Sequence, residues 1–166
     1  MFKKQLFFIL FLTFSCNKNI EVLSVSNLFS DGAILQRDTT VTVWGTSMPN
    51  NQIKLTGSWG EEIITKSNSD GKWKGMMKTS HAGGPHSLRI LSKNNELVIN
   101  DILFGEVWLA SGQSNMEMNF DYCCNSTDSS EYELSHANYP KLRMFNVKKA
   151  ISDKPQIDIE GDWVSA

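Results

Sequence analysis

Short runs of β-branched and apolar residues, separated by turn-forming residues, fill residues 20–103 and constrain the fold more than any other feature. The separators are Gly, Pro, Asn, Asp and Ser, which supply the positive φ or the fixed proline φ of tight turns. Because no helical period interrupts the runs, the pattern favours an antiparallel β-sandwich of the immunoglobulin-like kind. The predicted strands are 40–44, 52–56, 61–65, 72–77, 87–91 and 96–99.

The pattern changes at Gly105. Residues 105–110 form an apolar run that predicts a buried strand, residues 111–114 form a small-residue turn, and a helix is predicted over 115–122. A strand, a tight turn and a helix are the first half of a parallel α/β unit. Further along, the sequence predicts a helix over 131–137, a strand over 141–147 and a loop over 148–161.

So small an α/β layer cannot cover both faces of a parallel sheet. We therefore expect residues 104–166 to be the beginning of an α/β domain that is incomplete in this chain.

The N-terminus resembles an export signal. Lys3 and Lys4 precede a short apolar stretch that is too short to cross a bilayer, and Ser15 precedes Cys16. The run ending at Cys16 resembles a bacterial lipobox, in which the cysteine is acylated after cleavage, so residues 1–16 predict a membrane-anchored lipoprotein of the periplasm or the cell surface. Simple secretion and an uncleaved signal anchor remain the alternatives.

Charge and cysteine content narrow the range of ligands. The formal net charge is -2 and the chain has no block of Lys and Arg, which argues against nucleic-acid binding and favours a small or neutral ligand. Cys123 and Cys124 are neighbours, too close for a relaxed disulfide with each other, and no His or Cys lies at ligand spacing around them. We expect no metal and no cofactor.

Ser114 is the candidate nucleophile. Gly112 permits a tight backbone path before it, and the N-terminus of a following helix would direct N–H groups at a developing oxyanion. The same residues allow a structural interpretation, because Ser114 and Glu117 have the spacing of a helix capping box. The usual G-x-S-x-G elbow is not matched, since Met116 occupies its last position. Local pattern alone therefore leaves catalysis and capping both open.

Several longer motifs carry a family resemblance. The run GEVWLASGQSNM at 105–116 resembles the first catalytic block of sialate O-acetylesterases and related carbohydrate acetylesterases, a branch of the SGNH (GDSL-like) hydrolases. Segments upstream and downstream resemble the same family in the same order, at 28–37, 43–45, 70–73, 83–85, 140–145 and 161–163.

The resemblance implies a β-sandwich followed by a flavodoxin-like α/β/α hydrolase domain and an esterase that removes O-acetyl groups from sialic acid or a similar sugar. It makes Ser114 the nucleophile and a backbone oxyanion donor, with Gly112, Gln113 and Asn115 supporting the turn. In that family a Gly and an Asn complete the oxyanion hole and an Asp-x-x-His-like motif supplies the base. These later blocks do not occur in the 166 residues, so we expect this chain alone to be inactive.

Rival interpretations remain. The substrate alternatives are acetylxylan or another polysaccharide, and a non-catalytic carbohydrate-binding surface lipoprotein is the alternative outside enzymes. His136 follows Glu133 at a triad-like spacing, although a solvated helix face has the same spacing. We expect Trp44, Trp73 and Trp108 to pack in the core and Trp59 to be exposed.

Overall fold

The computed structural model describes residues 23–93, 95–118 and 129–166. The predicted export signal with Cys16, and the pair Cys123 and Cys124, lie outside the described residues. In chain order the elements are β1 (Ser24–Val25), β2 (Ile34–Gln36), β3 (Thr40–Thr46), β4 (Gln52–Gly57), β5 (Glu62–Lys66), β6 (Lys72–Lys78), β7 (Gly83–Ser92), β8 (Asn95–Gly105), α1 (Ser114–Glu117), α2 (Ser130–His136), β9 (Arg143–Val147) and β10 (Gly161–Ser165).

The described chain is mostly β-sheet, as the alternating runs predict. β1, β3 and β6 form one sheet, and a second sheet has the order β2-β8-β7-β4-β5. The six predicted strands correspond to β3 through β8. One pairing differs from the antiparallel prediction, because β2 runs parallel to β8, with Gln36 opposite Gly105. The immunoglobulin-like assignment remains a prediction.

Alternation along the strands builds the core. On β6, Trp73 and Met77 are buried, whereas Lys72, Lys74 and Lys78 are exposed. Trp73 and Met77 join Val43 of β3 and the inward residues of the larger sheet in one apolar cluster. The fully buried apolar members of the larger sheet are Ile53, Leu55, Leu88, Ile90 and Ile102. Because burying one such side chain contributes roughly 1.5–3 kcal/mol, this cluster is the main source of stability.

Gly45 shows how closely the strands of the smaller sheet approach each other. It pairs with Val25 of β1 and Trp73 of β6. A Cβ at this position would lie 2.0 Å from the carbonyl oxygen of Ser24 and 2.8 Å from the Trp73 ring. A backbone atom cannot rotate out of the way as a side chain can, so this position accepts only glycine without a shift of β1.

The buried strand predicted over 105–110 is wrong in this structure. β8 ends at Gly105, and Trp108 and Leu109 are 86% and 95% exposed. A parallel strand is stable only when neighbouring strands bond to its backbone and cover its faces. Beyond Gly105, the described sheets bond to the backbone of this run through a side chain, with Gln36 Oε1 accepting the Val107 N–H at 2.8 Å. The strand propensity of residues 105–110 is therefore not enough to form a strand beyond Gly105.

Two of the tryptophan expectations are also wrong. Trp108 is exposed instead of packed, for the reason just given. Trp59 is partly buried against the core, because its indole N–H donates to the Lys78 carbonyl at 2.9 Å and its ring meets Phe104 edge-on. Trp73 is buried and Trp44 is partly buried against the core, as expected.

The segment after residue 129 forms a helical turn and a hairpin. α2 confirms the helix predicted over 131–137, and β9 confirms the strand predicted over 141–147. β9 pairs antiparallel with β10, with Phe145 opposite Trp163. β10 was not predicted, because five residues after a long loop carry too weak a pattern. Outside the gaps at 94 and 119–128, no helix after residue 22 is long and apolar enough to cross a membrane.

Arg143 attaches this hairpin to the larger sheet. Its side chain is 11% exposed. One guanidinium nitrogen donates to the carbonyls of Gly32 and Asp101 at 2.9 and 2.6 Å, and another donates to the Asp101 carboxylate at 3.0 Å. Trp163 adds a bond from its indole N–H to the Leu28 carbonyl at 3.0 Å. The hairpin is thus bonded to the sheets by side chains from both of its strands.

The loop before β10 makes a second set of contacts. The Asp158 carboxylate accepts bonds from the Ser26 hydroxyl at 2.7 Å and the Asn27 N–H at 3.0 Å. The Trp44 indole N–H donates to the Ile157 carbonyl at 2.9 Å. These bonds hold residues 157–158 against the edge of the smaller sheet.

Candidate active site

Ser114 lies at the first position of α1, where the chain turns after leaving β8. Gln113 is the N-cap residue, and its carbonyl accepts the Met116 N–H at 2.8 Å. Ser114, Asn115, Gln113 and Gly112 are all exposed. An exposed hydroxyl at a helix start is accessible to a substrate and lies beside N–H groups that have no acceptor within the helix. This arrangement is compatible with a nucleophile and an adjoining oxyanion donor.

The capping-box alternative is not what the structure contains. In a capping box the serine occupies the N-cap position, outside the helix. Here Ser114 is already helical, and the N-cap residue Gln113 makes no side-chain capping bond. The helix predicted over 115–122 is present as α1 through Glu117, and residues 119–122 fall outside the described part of the chain. The capping role therefore does not account for Ser114.

Gly112 leaves room for Met116 beneath the turn. A Cβ on Gly112 would lie 2.6 Å from the Met116 Cγ. Because Met116 has a flexible side chain, an alanine at 112 would be accommodated by moving Met116 and not by breaking the backbone path. Gly112 thus favours the tight turn before Ser114 through local packing.

The start of the Ser114 segment is tied to β2 by a group of polar side chains. The Arg37 Nε donates to one oxygen of the Glu106 carboxylate at 2.8 Å, and the Gln36 amide donates to the other at 3.0 Å. Hydrogen bonds from Gln36 and then Arg37 lower the pKa of Glu106 from its ordinary value. The hydrogen bond to Glu106 and the charge of that carboxylate raise the pKa of Arg37. Both charges are therefore fully present near neutral pH.

From the sequence alone, Glu106 has no assigned role, and Gln36 and Arg37 are not identified as residues of the site. The available signal was their position inside two motifs of the family resemblance, 28–37 and 105–116. No local pattern in the sequence shows that β2 and β8 pair in parallel. This pairing brings the end of the first motif beside the beginning of the second.

His136 has an arrangement that does not suit a general base for Ser114. Its Nδ1 lies 2.8 Å from the Tyr132 carbonyl and 2.9 Å from the Ser135 hydroxyl, and its ring stacks on Tyr132 at 4.0 Å between centroids. The described partners of His136 all belong to its own helix, and Glu133 is not among them. The arrangement is that of an exposed helix end.

The remaining described histidines have other partners. His81 is exposed and lies 2.6 Å from the Asp38 carboxylate. His86 packs against Phe104 and Trp59, with ring centroids 4.4 and 5.7 Å away. This burial lowers the pKa of His86 below its ordinary value. In the part of the chain that the structure describes, neither histidine bonds to Ser114, and no cluster of three potential metal ligands is present.

The fold is similar to the crystal structure of a carbohydrate acetylesterase from Xanthomonas citri, with a TM-score of 0.78 and 35% sequence identity over 88% of this chain and 32% of that one. No family model matches the chain. The structural neighbour therefore points to the class of carbohydrate acetylesterases.

The curated relatives are more specific. The mouse sialate O-acetylesterase is 31% identical over 137 residues, and the human sialate O-acetylesterase is 30% identical over 145 residues. These alignments cover 76% and 81% of this chain but only 25% and 27% of the relatives. The resemblance to a sialate O-acetylesterase-like family is thus confirmed, and the chain spans about a quarter of the length of the curated relatives it matches.

Proposed function

We propose that this chain carries the nucleophile of a serine esterase that removes O-acetyl groups from carbohydrates. The observation that carries the proposal is the exposure of Ser114 at the start of α1, inside the block that resembles the catalytic block of acetylesterases. The similarity to esterases of sialate and other carbohydrates supports the reaction class. A carbohydrate-binding module would have no use for such a segment.

The reaction is a two-step acyl transfer. The Ser114 Oγ gives its proton to a base and bonds to the acetyl carbonyl carbon, while the carbonyl electrons move to the oxygen. Backbone N–H groups stabilise that oxyanion. The intermediate expels the sugar oxygen, which takes the proton and leaves as a hydroxyl, and water then cleaves acetyl-Ser114 to acetate. Since no described histidine bonds to Ser114, we assign the base to the Asp-x-x-His-like block of the resemblance.

We further propose sialic acid or a related acetylated sugar as the substrate. The names of the mammalian relatives favour sialate, and the bacterial neighbour supports a carbohydrate in general. Acetylxylan is the competing substrate. Initial rates on O-acetylated sialic acid and on acetylxylan, measured with the same preparation, would distinguish them by the larger kcat/KM.

The decisive variant is Ser114→Ala in the protein expressed from its complete gene. We expect loss of hydrolysis of a chromogenic acetyl ester by roughly three orders of magnitude or more, together with loss of fluorophosphonate labelling, because the hydroxyl is the attacking atom. Ser69→Ala, in the exposed turn between β5 and β6, is the matched control and should retain both. Full turnover by Ser114→Ala would overturn the proposal.

The 166-residue chain offers a second test. Without an activating base, a serine hydroxyl is almost wholly protonated and weakly nucleophilic at neutral pH. We therefore expect neither turnover nor fluorophosphonate labelling from this chain alone. Ser114-dependent turnover by the short chain would mean that residues within it supply the base.

We also propose that the mature protein is a lipoprotein acylated at Cys16, exported to the periplasm or the cell surface. The lipobox-like run before Cys16 is the support. Wild type should partition into detergent and incorporate a labelled fatty acid, whereas Cys16→Ala should do neither. Equal recovery of both forms in the aqueous phase would contradict the anchor.

A further inference from the structure

β2 and β8 end together at the point where the chain leaves for Ser114. The two strands run parallel, with Leu35 opposite Phe104 and Gln36 opposite Gly105. The ladder is extended by one bond, from the Arg37 N–H to the Gly105 carbonyl at 3.0 Å. Beyond this bond the residues from 106 to Ser114 belong to no described strand.

Two side chains and one backbone group at the end of β2 bond to three consecutive residues, 105–107, and together these contacts form a grip on the chain. The Gly105 carbonyl accepts from the Arg37 N–H, and the Glu106 carboxylate accepts from Arg37 Nε and Gln36 Nε2. The Val107 N–H donates to Gln36 Oε1 at 2.8 Å. The Gln36 amide therefore has one orientation in which both of its ends are satisfied, and that orientation fixes the Val107 peptide.

The charges around Arg37 keep this grip in place. Its guanidinium also pairs with the Asp38 carboxylate at 3.0 Å, through a different nitrogen from the one that bonds Glu106. Arg37 and Glu106 are both substantially exposed. Exposed ion pairs contribute little to the free energy of folding, which is already supplied by the apolar core. Their geometric effect is specific, since they determine the direction in which the chain leaves the sheet.

We propose that Gln36, Arg37 and Glu106 are positioning residues for the Ser114 nucleophile. They act through the backbone of residues 105–107, which sets where the turn at 112–114 stands relative to the substrate. The inference rests on the proposed esterase function. Misplacing a reacting group by about 1 Å can cost on the order of 100-fold in rate, so loss of this grip should lower kcat much more than it changes stability.

A pair of single variants and their combination test the proposal in the protein from its complete gene. Glu106→Gln places an amide opposite the Gln36 amide, so one donor loses its acceptor. Gln36→Glu places a carboxylate opposite the Glu106 carboxylate, and the two repel each other. We expect each change to lower kcat on a chromogenic acetyl ester by roughly 10-fold or more. KM should change by less than about threefold and Tm should stay near the wild-type value.

The combination of both changes restores the complementary pair in reverse. The new carboxylate at 36 accepts from the new amide at 106 and from the Val107 N–H, while the amide oxygen at 106 still accepts from Arg37. We expect the double variant to recover kcat to within about threefold of wild type, because the geometry returns although the groups have exchanged places. A purely additive loss would contradict positioning by this contact.

Arg89 and Glu96 provide the matched control. They form an exposed bidentate pair between β7 and β8, and their described contacts do not include residues 105–107. Glu96→Gln removes one carboxylate charge as Glu106→Gln does, and it should leave kcat unchanged. Equal losses in Glu106→Gln and Glu96→Gln would mean that only overall charge matters, and the positioning role would be overturned.

The outcomes separate this inference from the proposed function. Ser114-dependent turnover with unchanged kcat in both single variants overturns the positioning role alone. Absence of Ser114-dependent turnover in the wild type overturns the esterase function and the positioning role with it. Hydrogen exchange gives an independent readout, since Gln36→Met should speed exchange at the Val107 amide, and unchanged exchange would contradict the grip.

Discussion

Residues 23–105 bury most of their large apolar side chains, whereas residues 106–118, which carry Ser114, expose theirs. Every buried apolar side chain among the described residues lies between Leu23 and Phe104. Trp108, Leu109, Met116 and Met118 are exposed although they are as apolar as the core residues. The composition of a segment therefore makes it able to form a strand, while neighbouring strands decide whether one forms.

The grip of the β2 end on residues 105–107 lies at the boundary between these regions. On one side the backbone is held by a full ladder of strand bonds, and on the other it is held by single side-chain contacts. Segments held by few buried contacts open at low free energy and are often functional. This contrast predicts how much a substitution in each region changes the stability of the chain.

The sharpest test replaces one leucine in each region. Leu88 is fully buried in β7, so Leu88→Ala should lower the free energy of unfolding by about 2–5 kcal/mol through lost burial and a cavity. Leu109→Ala is the matched control and should change it by less than about 0.5 kcal/mol. Urea unfolding of the 166-residue chain, followed by far-UV circular dichroism, measures both. A large effect of Leu109→Ala would mean that residues 106–118 are covered in solution, which would contradict the contrast between the two regions.

A second test asks whether the β9–β10 hairpin belongs with the buried region. Arg143→Leu leaves the Gly32 and Asp101 carbonyls without their donor, so we expect a loss of about 1–3 kcal/mol and faster amide exchange across the hairpin. Lys148→Met breaks an exposed pair with Glu160 in the same hairpin and should change little. If the two variants behave alike, the Arg143 contacts do not hold the hairpin to the sheet.

The smallest expected effect is a pH dependence within the buried region. Burial lowers the pKa of His86, so the folded chain binds a proton there less readily than the unfolded chain does. Stability should therefore be highest above a pH of about 6.5, fall as the pH drops below it, and level off below the lowered pKa. His86→Phe keeps the ring packing on Phe104 and Trp59 and should flatten this part of the pH–stability curve.

Titrated urea midpoints would check the effect, with His136→Gln as the control at an exposed helix end. That control should retain the decline that His86 causes. A wild-type midpoint that does not fall between about pH 7 and 5 would contradict the effect of burial on His86.

The sequence determined β3 through β8, because alternation along a strand is local and most of the turns between these strands carry a Gly, Pro, Asn or Asp. It also determined Ser114 as the candidate nucleophile, because the block from 105 to 116 is contiguous and specific. Only the tertiary structure decided that β2 runs parallel beside β8, that β10 exists opposite β9, and that Trp59 is packed while Trp108 is exposed. The physical reason is the range of the interactions. Alternation and turn chemistry act between residues a few positions apart, whereas the bonds from Gln36 to Val107 and from Arg143 to Gly32 join residues 71 and 111 positions apart.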